Sequence, residues 1–235
     1  MKFKIFIVFV FVIYCLLPGI SLAQNKVVVI PLVEEKIIQA TYPCTGPDEV
    51  MSNGRCWKDR NLGASQVATS STDATAYGDL YQWGRLGDGH QNRTSVPGDG
   101  NSAYDVPGHS VFLTVSSLPF DWRVPKNDIL WQGLGGVNNP CPQGFRLPTE
   151  AEWVTERASW DSEDAAGAFA SPLKLVVAGS RNRSSATVEN AGSVGVYWCS
   201  KVSGTSTRLL ALYSSRASMS GAGRANGCSI RCIKD

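Results

Sequence analysis

Six cysteines, Cys44, Cys56, Cys141, Cys199, Cys228 and Cys232, follow a leader that holds the seventh, Cys15. An even set of cysteines in an exported chain narrows the accessible folds more than any other feature here, because paired sulphurs fix which distant segments must meet. Export is read from residues 1–23: Lys2 and Lys4, an apolar run over 5–17, and Ser21-Leu22-Ala23 as a small-residue cleavage site before Gln24. The run is short for a bilayer crossing and is broken by Pro18 and Gly19, so no stable membrane span is expected after cleavage. Cys15 lacks a lipoprotein-type setting. The mature chain is therefore expected to be secreted, extracellular or held at the cell surface.

Three disulfides are expected, and the sequence leaves their connectivity open apart from one local bet. Gly46-Pro47 and Asn53-Gly54 supply turns that bring Cys44 back to Cys56. Zinc is the rival use of the sulphurs, but there is no Cys-x-x-Cys pair, and His90 and His109 lie far from the cysteines in sequence. The chain has 22 basic and 20 acidic residues, and without Lys2 and Lys4 the count is 20 against 20. A neutral protein offers no field for nucleic acid or anionic lipid. Residues 24–43, with Val27-Val28-Val29-Ile30 and Ile37-Ile38 split by Pro31, read as a leader segment, and residues 44–235 as one domain.

The clearest helix start is Pro148-Thr149-Glu150-Ala151-Glu152-Trp153. Thr149 caps, Glu152 returns the bond, and Trp153, Arg157 and Trp160 follow at helical spacing. Glu150 and Glu152 are capping acids at the positive helix end. A second helix is expected over 162–169, ending before Pro172. Strands are expected over 173–177, 193–199, 207–213 and 229–233, and Tyr77, Tyr81 and Trp83 are expected in the core. Residues 84–110, rich in Gly, Asn, Asp, Ser and Pro, read as a long surface loop. A calcium ion remains open there through Asp88, Asp99 and Asp105, or through Asn127-Asp128, although no EF-hand spacing is present. The fold class is α+β, with two helices ahead of a small, mostly antiparallel sheet.

The tail reads as a fixed frame with arbitrary content. Strand alternation sends Leu210 and Leu212 to a core and turns Thr207, Leu209, Ala211 and Tyr213 outward together. Arg216, Ser218, Ser220, Gly221, Ala222 and Gly223 follow in the next loop, and these ten residues form the expected ligand-binding set. Tyr213 and Arg216 are its anchors, with Ser and Gly as adaptable contacts. The competing view is an ordinary polar loop of small residues over 214–227.

Cys141-Pro142-Gln143-Gly144-Phe145-Arg146-Leu147-Pro148-Thr149-Glu150-Ala151-Glu152-Trp153 resembles the helix entry of the formylglycine-generating sulfatase-modifying family, a branch of the C-type lectin-like fold. Together with residues 57–64, 77–84 and 229–232, the chain from Arg55 onward looks closer to the Fibrobacter-type major paralogous domain. The resemblance implies a disulfide-stapled C-type lectin-like fold, and by analogy pairs Cys141 with Cys232 and Cys199 with Cys228. It does not imply catalysis, since the enzyme branch's reactive cysteine pair is replaced by Ser, Gly and Ala. The tail, residues 197–235, also resembles the variable region of proteins diversified by retroelements, in which mutagenesis at template adenines replaces Asn codons. Leu, Ala, Tyr, Arg, Ser and Gly are all reachable from an AAC codon.

A ligand-binding protein for a protein or glycan is the leading expectation, without catalysis or cofactor. A calcium-dependent carbohydrate binder, a sulfatase-modifying-type oxidase and a self-packing surface component are the alternatives.

Overall fold

The computed structural model describes residues 44–235, so the expected signal sequence and leader lie outside the described residues. In chain order the first half contributes β1 (Glu49–Ser52), β2 (Arg55–Lys58), β3 (Tyr81–Gln82), β4 (Pro97–Asp99), β5 (Phe112–Thr114) and β6 (Phe145–Arg146). Helices α1 (Glu150–Arg157) and α2 (Ala165–Ala170) follow, then β7 (Ser180–Arg181) and β8 (Val188–Glu189). The long strands are β9 (Gly195–Ser203), β10 (Ser206–Tyr213) and β11 (Arg216–Ala222), and β12 (Gly227–Cys228) and β13 (Ile233–Lys234) close the chain. The expected α+β class holds: two helices accompany several small sheets. Three of these are antiparallel, in the orders β1-β2-β13-β6, β11-β10-β9 and β3-β12-β7-β8, and β4 pairs with β5 in parallel. No helix among the described residues is long and apolar enough to cross a membrane.

The start of α1 follows its sequence signal. Thr149 Oγ1 accepts from the Glu152 N–H at 3.2 Å, and the Glu152 carboxylate accepts from the Thr149 N–H at 2.7 Å. Burial would raise the Glu152 pKa, but the Arg146 guanidinium and the Thr149 N–H outweigh it and hold the group at about 2. The second helix starts later than expected, because Asp164 caps it by accepting from the Gly167 N–H at 2.9 Å. Gly167 is required there: a Cβ would lie 1.9 Å from the Ser162 carbonyl oxygen. Residues 173–177 are not a strand. They are buried, but their N–H groups go to scattered acceptors, Val176 to the Tyr197 hydroxyl at 2.8 Å and Val177 to the Ser71 carbonyl at 2.9 Å. Of the strand expected over 229–233, only Ile233 belongs to a ladder.

The centre of the β11-β10-β9 sheet, along β9 and β10, is buried on both faces. One face carries Tyr197, Cys199, Leu210, Leu212 and Ala217 into a core with Trp57, Trp153 and Trp160 beneath α1 and α2. The other carries Trp198, Leu209 and Ala211 into a second core with Trp83, Trp122, Leu130 and Trp131. Indole N–H groups tie these layers to backbone carbonyls. Trp83 donates to Cys199 O at 2.9 Å, Trp122 to Trp83 O at 2.7 Å, Trp198 to Tyr81 O at 2.7 Å and Trp153 to Trp198 O at 3.2 Å. These four buried indoles thus bring apolar area with their donors met, whereas the buried Trp57 Nε1 has no hydrogen-bond partner among the described residues.

Two of the three expected disulfides form, Cys44–Cys56 and Cys141–Cys232. The third is corrected, since Cys199 and Cys228 are free and buried. Alternation along β9 explains it: Cys199 points with Tyr197 into the core under the helices, whereas Cys228 lies in the opposite core with Trp198. The two sulphurs therefore occupy opposite sides of the sheet.

The two bridges close loops of very different length, with sequence separations of 91 for Cys141–Cys232 and 12 for Cys44–Cys56. Loop-closure entropy predicts that replacing both Cys141 and Cys232 by Ser costs about 2 kcal/mol more in urea unfolding than replacing Cys44 and Cys56. Equal losses, or the reverse order, would contradict the long bridge as the principal staple.

Candidate ligand face on the β9 to β11 sheet

The ten residues expected to bind ligand do not share one surface. Thr207, Leu209 and Ala211 are 0%, 4% and 2% exposed, so they are corrected from outward-facing to core. The face they point to is real, but the segment over 112–131 is folded across it, placing Leu113, Val115, Trp122, Leu130 and Trp131 in the same cluster. Of the four β10 residues expected to bind ligand, only Tyr213 stays half-buried, at the edge of that core.

Residues 216–222 are also corrected, from loop to strand. The turn Ser214-Ser215 folds β11 back on β10 with Tyr213 opposite Arg216, Ala211 opposite Ser218, Leu209 opposite Ser220 and Thr207 opposite Ala222. Partners directly opposite share a face, so Arg216, Ser218, Ser220 and Ala222 extend the Tyr213 side of the sheet. Arg216 is exposed and Ser218, Ser220 and Ala222 are half-buried. The Arg216 guanidinium lies over the Tyr213 ring at 5.2 Å, a contact worth about 0.5–1 kcal/mol at an exposed site. Gly221, opposite Arg208, belongs to the reverse face and is exposed.

Gly223 is not a free position either. A Cβ there would meet Phe120 Cβ at 2.6 Å and Phe120 O at 2.9 Å. The same Phe120 carbonyl accepts the Ala225 N–H at 3.0 Å, so the 118–120 loop is locked against the end of the tail. At Gly221, by contrast, the nearest atom to a Cβ is Thr207 O at 3.6 Å, an ordinary contact. Arg216, Ser218, Ser220 and Gly221 therefore lie outside both cores, while Tyr213 and Ala222 pack against the edge of one.

The carboxylates considered for calcium are all engaged by protein donors. Asp88 accepts from Arg85 at 2.8 Å and contacts His90 Nδ1 at 2.7 Å, and Asp99 accepts from the Thr114 hydroxyl. Asp105 accepts from Arg123 at 2.8 Å and Asn127 at 3.0 Å. Asp128 pairs with Lys126 at 3.0 Å and with the buried Arg224. Arg85 and His90 are themselves buried, so the segment over 84–110 is only partly a surface loop. Among the described residues, one group has His, Cys, Asp or Glu ligand atoms close enough for a metal, Cys44, Glu49 and Cys56. Its two sulphurs are joined to each other and its carboxylate is held by Lys234 at 3.1 Å, so these residues do not fit a metal ion.

His90 has no nitrogen to spare: Nδ1 faces Asp88 and Nε2 accepts the Gln82 N–H at 3.1 Å. Burial outweighs the Asp88 contact and brings its pKa down to about 4, which keeps it neutral. Arg224 is buried between Asp121 and Asp128, with its guanidinium 4.8 Å from the centre of the Trp83 ring. It also donates to the Asn127 carbonyl at 3.1 Å. These groups clamp loops; none presents a free acid, base or nucleophile.

The covering segment was findable from sequence. Phe112, Leu113, Val115, Trp122, Leu130 and Trp131 form an apolar set between a polar loop and the α1 cap, and such a set has to be buried against something. The tail's outward Leu209 was the available surface.

Burial pushes the Cys199 thiol up to about 12 and raises Cys228 as well, so neither carries thiolate at neutral pH. The native, non-reduced protein is expected to show no fast reaction with a thiol reagent such as Ellman's reagent, while denaturant without reductant releases both thiols. Rapid labelling of Cys199 or Cys228 in the folded protein would reverse this assignment and revive thiol chemistry. No protein-family model matches this chain, nor does any curated protein or any solved structure.

Proposed function

We propose that this chain is a secreted or surface-displayed binding protein on a C-type lectin-like scaffold. Its ligand face runs along β11 from the Tyr213–Arg216 pair to Ala222, and retroelement mutagenesis diversifies that face. The observation that carries the proposal is the split between β10 and β11. Thr207, Leu209, Leu210, Ala211 and Leu212 on β10 are buried, with the half-buried Arg208 paired to Glu150, while Arg216, Ser218 and Ser220 on the paired strand join neither core. A frame with that division accepts new side chains on β11 without losing its fold.

Tyr213 and Arg216 suit the anchor roles. The Tyr ring gives rigid amphipathic area, the guanidinium a fork of donors, and the serines short polar contacts. A fold alone never names a ligand. The calcium-dependent alternative is less well supported because its carboxylates are occupied by Arg, Lys and Thr donors. The oxidase alternative lacks a thiolate setting at either free cysteine.

A saturation scan of residues 207–223, sorted for protease resistance, tests the division directly. Substitutions at Ser218, Ser220 and Gly221 are expected to stay within about 0.5 kcal/mol of the parent. Leu209→Ala is expected to cost about 2–5 kcal/mol, and Gly223→Ala about 1–3 kcal/mol from the clash with Phe120. Tolerance at Leu209 and Ala211 equal to that at Ser218 and Ser220 would remove the basis for a β11 face.

A further inference from the structure

We propose that the outer edge of β11, between Ser218 and Ala222, binds an extended peptide of a partner polypeptide by strand addition. The proposal rests on the binding-protein function above and names its ligand class as polypeptide.

β11 is an edge strand, with β10 on one side only. Across the two-residue turn, Tyr213 and Arg216 form the first pair of the ladder, so Arg216, Ser218, Ser220 and Ala222 direct their backbone groups to β10. Ala217, Met219 and Gly221 direct theirs away from it. The Ala217 position shows this: its N–H donates to the Glu163 carbonyl at 2.5 Å, and its C=O accepts from Arg157 at 3.2 Å. Glu163 thus already occupies the first slot of the edge as a main-chain partner would. Among the described residues, neither Met219 nor Gly221 has a further partner for its N–H or C=O. Two donors and two acceptors in strand register continue the line that Glu163 begins.

Edge strands are ordinarily guarded by Lys, Pro, a bulge or an inward charge. The run Ser218-Met219-Ser220-Gly221-Ala222 has none of these. The register shift in this sheet lies between β10 and β9, not on β11. Four of the five side chains are small, so a second backbone can approach to ladder distance. Strand addition draws affinity from main-chain bonds and specificity from alternate side chains. On this edge the alternate side chains are Ser218 and Ser220 with Arg216, the same residues assigned to the ligand face. One strand would therefore hold a peptide by its fixed backbone and read it with replaceable side chains.

The test is selection of a phage-displayed library of short random peptides on the full mature protein, with Gly221→Pro as the counter-target. Proline removes the outward N–H while leaving the β10 ladder bonds in place, a position edge strands accept. Gly221→Lys serves as a second block should the proline variant fail a thermal unfolding control. Enriched peptides are expected to lose on the order of tenfold in affinity for Gly221→Pro, the loss of one to two backbone bonds, and to bind Gly221→Lys more weakly because a charged edge side chain opposes strand pairing. N-methylation of the peptides is expected to weaken binding at every second residue only.

Three results would overturn the proposal. One is no enrichment over the Gly221→Pro protein; another is peptides indifferent to the variants and to N-methylation. The third is a concentration-dependent dimer that Gly221→Pro dissociates, which would give the edge to a second copy of the chain. If Tyr213→Ala with Arg216→Ala abolishes binding while Gly221→Pro leaves it intact, the side-chain face stands and strand addition fails. If neither substitution matters, both fail.

Discussion

Burial of β9 and β10 on both faces is the constraint on which the rest of the molecule depends. The centre of this strand pair has little surface to offer: Tyr197, Cys199, Leu210 and Leu212 fit one core, and Trp198, Leu209 and Ala211 fit the other. Indoles from both sides help to make that possible, because their N–H groups reach backbone carbonyls. Trp153 reaches β9 at Trp198 O from the helix side, and Trp83 reaches it at Cys199 O from the loop side. Trp122 in turn hangs the covering segment on Trp83 O. Large apolar area and a directed N–H are thereby combined at the points where separate segments have to stay in register.

That rigidity displaces variability outward. On the face of Leu209 and Ala211, β10 carries what the core requires and β11 carries Arg216, Ser218 and Ser220, which the core leaves over, even though the strands are hydrogen-bonded partners seven pairs long. The long Cys141–Cys232 staple and the buried arginines fix the frame further. Arg231 donates to the Asn61 side chain at 2.9 Å and to the Leu173 carbonyl, tying the closing segment to the first half of the domain. The Arg224 clamp holds residues 121–128 against the Trp83 ring. On the proposed function, a binding edge on such a frame would change chemistry without changing shape, which lowers the ordering cost of association.

Local signals in the sequence were legible and non-local ones were not. Thr149 and Glu152 announced the start of α1 because a capping box is a contact between residues three apart. The Cys44–Cys56 bridge followed from nearby turns, and Leu210 and Leu212 followed from alternation. Alternation could not say what lay over Leu209 and Ala211, since their partners Trp122, Leu130 and Trp131 come from a segment some eighty residues earlier. It also misled on β11, whose Ser, Ala and Gly residues have weak strand preference and form a strand because β10 pairs with them. The Cys199–Cys228 pairing failed for a related reason. An analogy of sequence position carries no information on which side of β9 a sulphur falls.

The proposed function places variation on β11 and on Tyr213 at the end of β10, and not on the buried positions 207, 209 and 211. Deep sequencing of the gene's final segment across a population that carries it tests this most directly. The account predicts changes confined to codons 213, 216, 218 and 220–222, with 207, 209, 211 and 223 constant and an Asn-rich near-copy close by. A segment that never varies, or one that varies at 209 and 211 as freely as at 218 and 220, would contradict it.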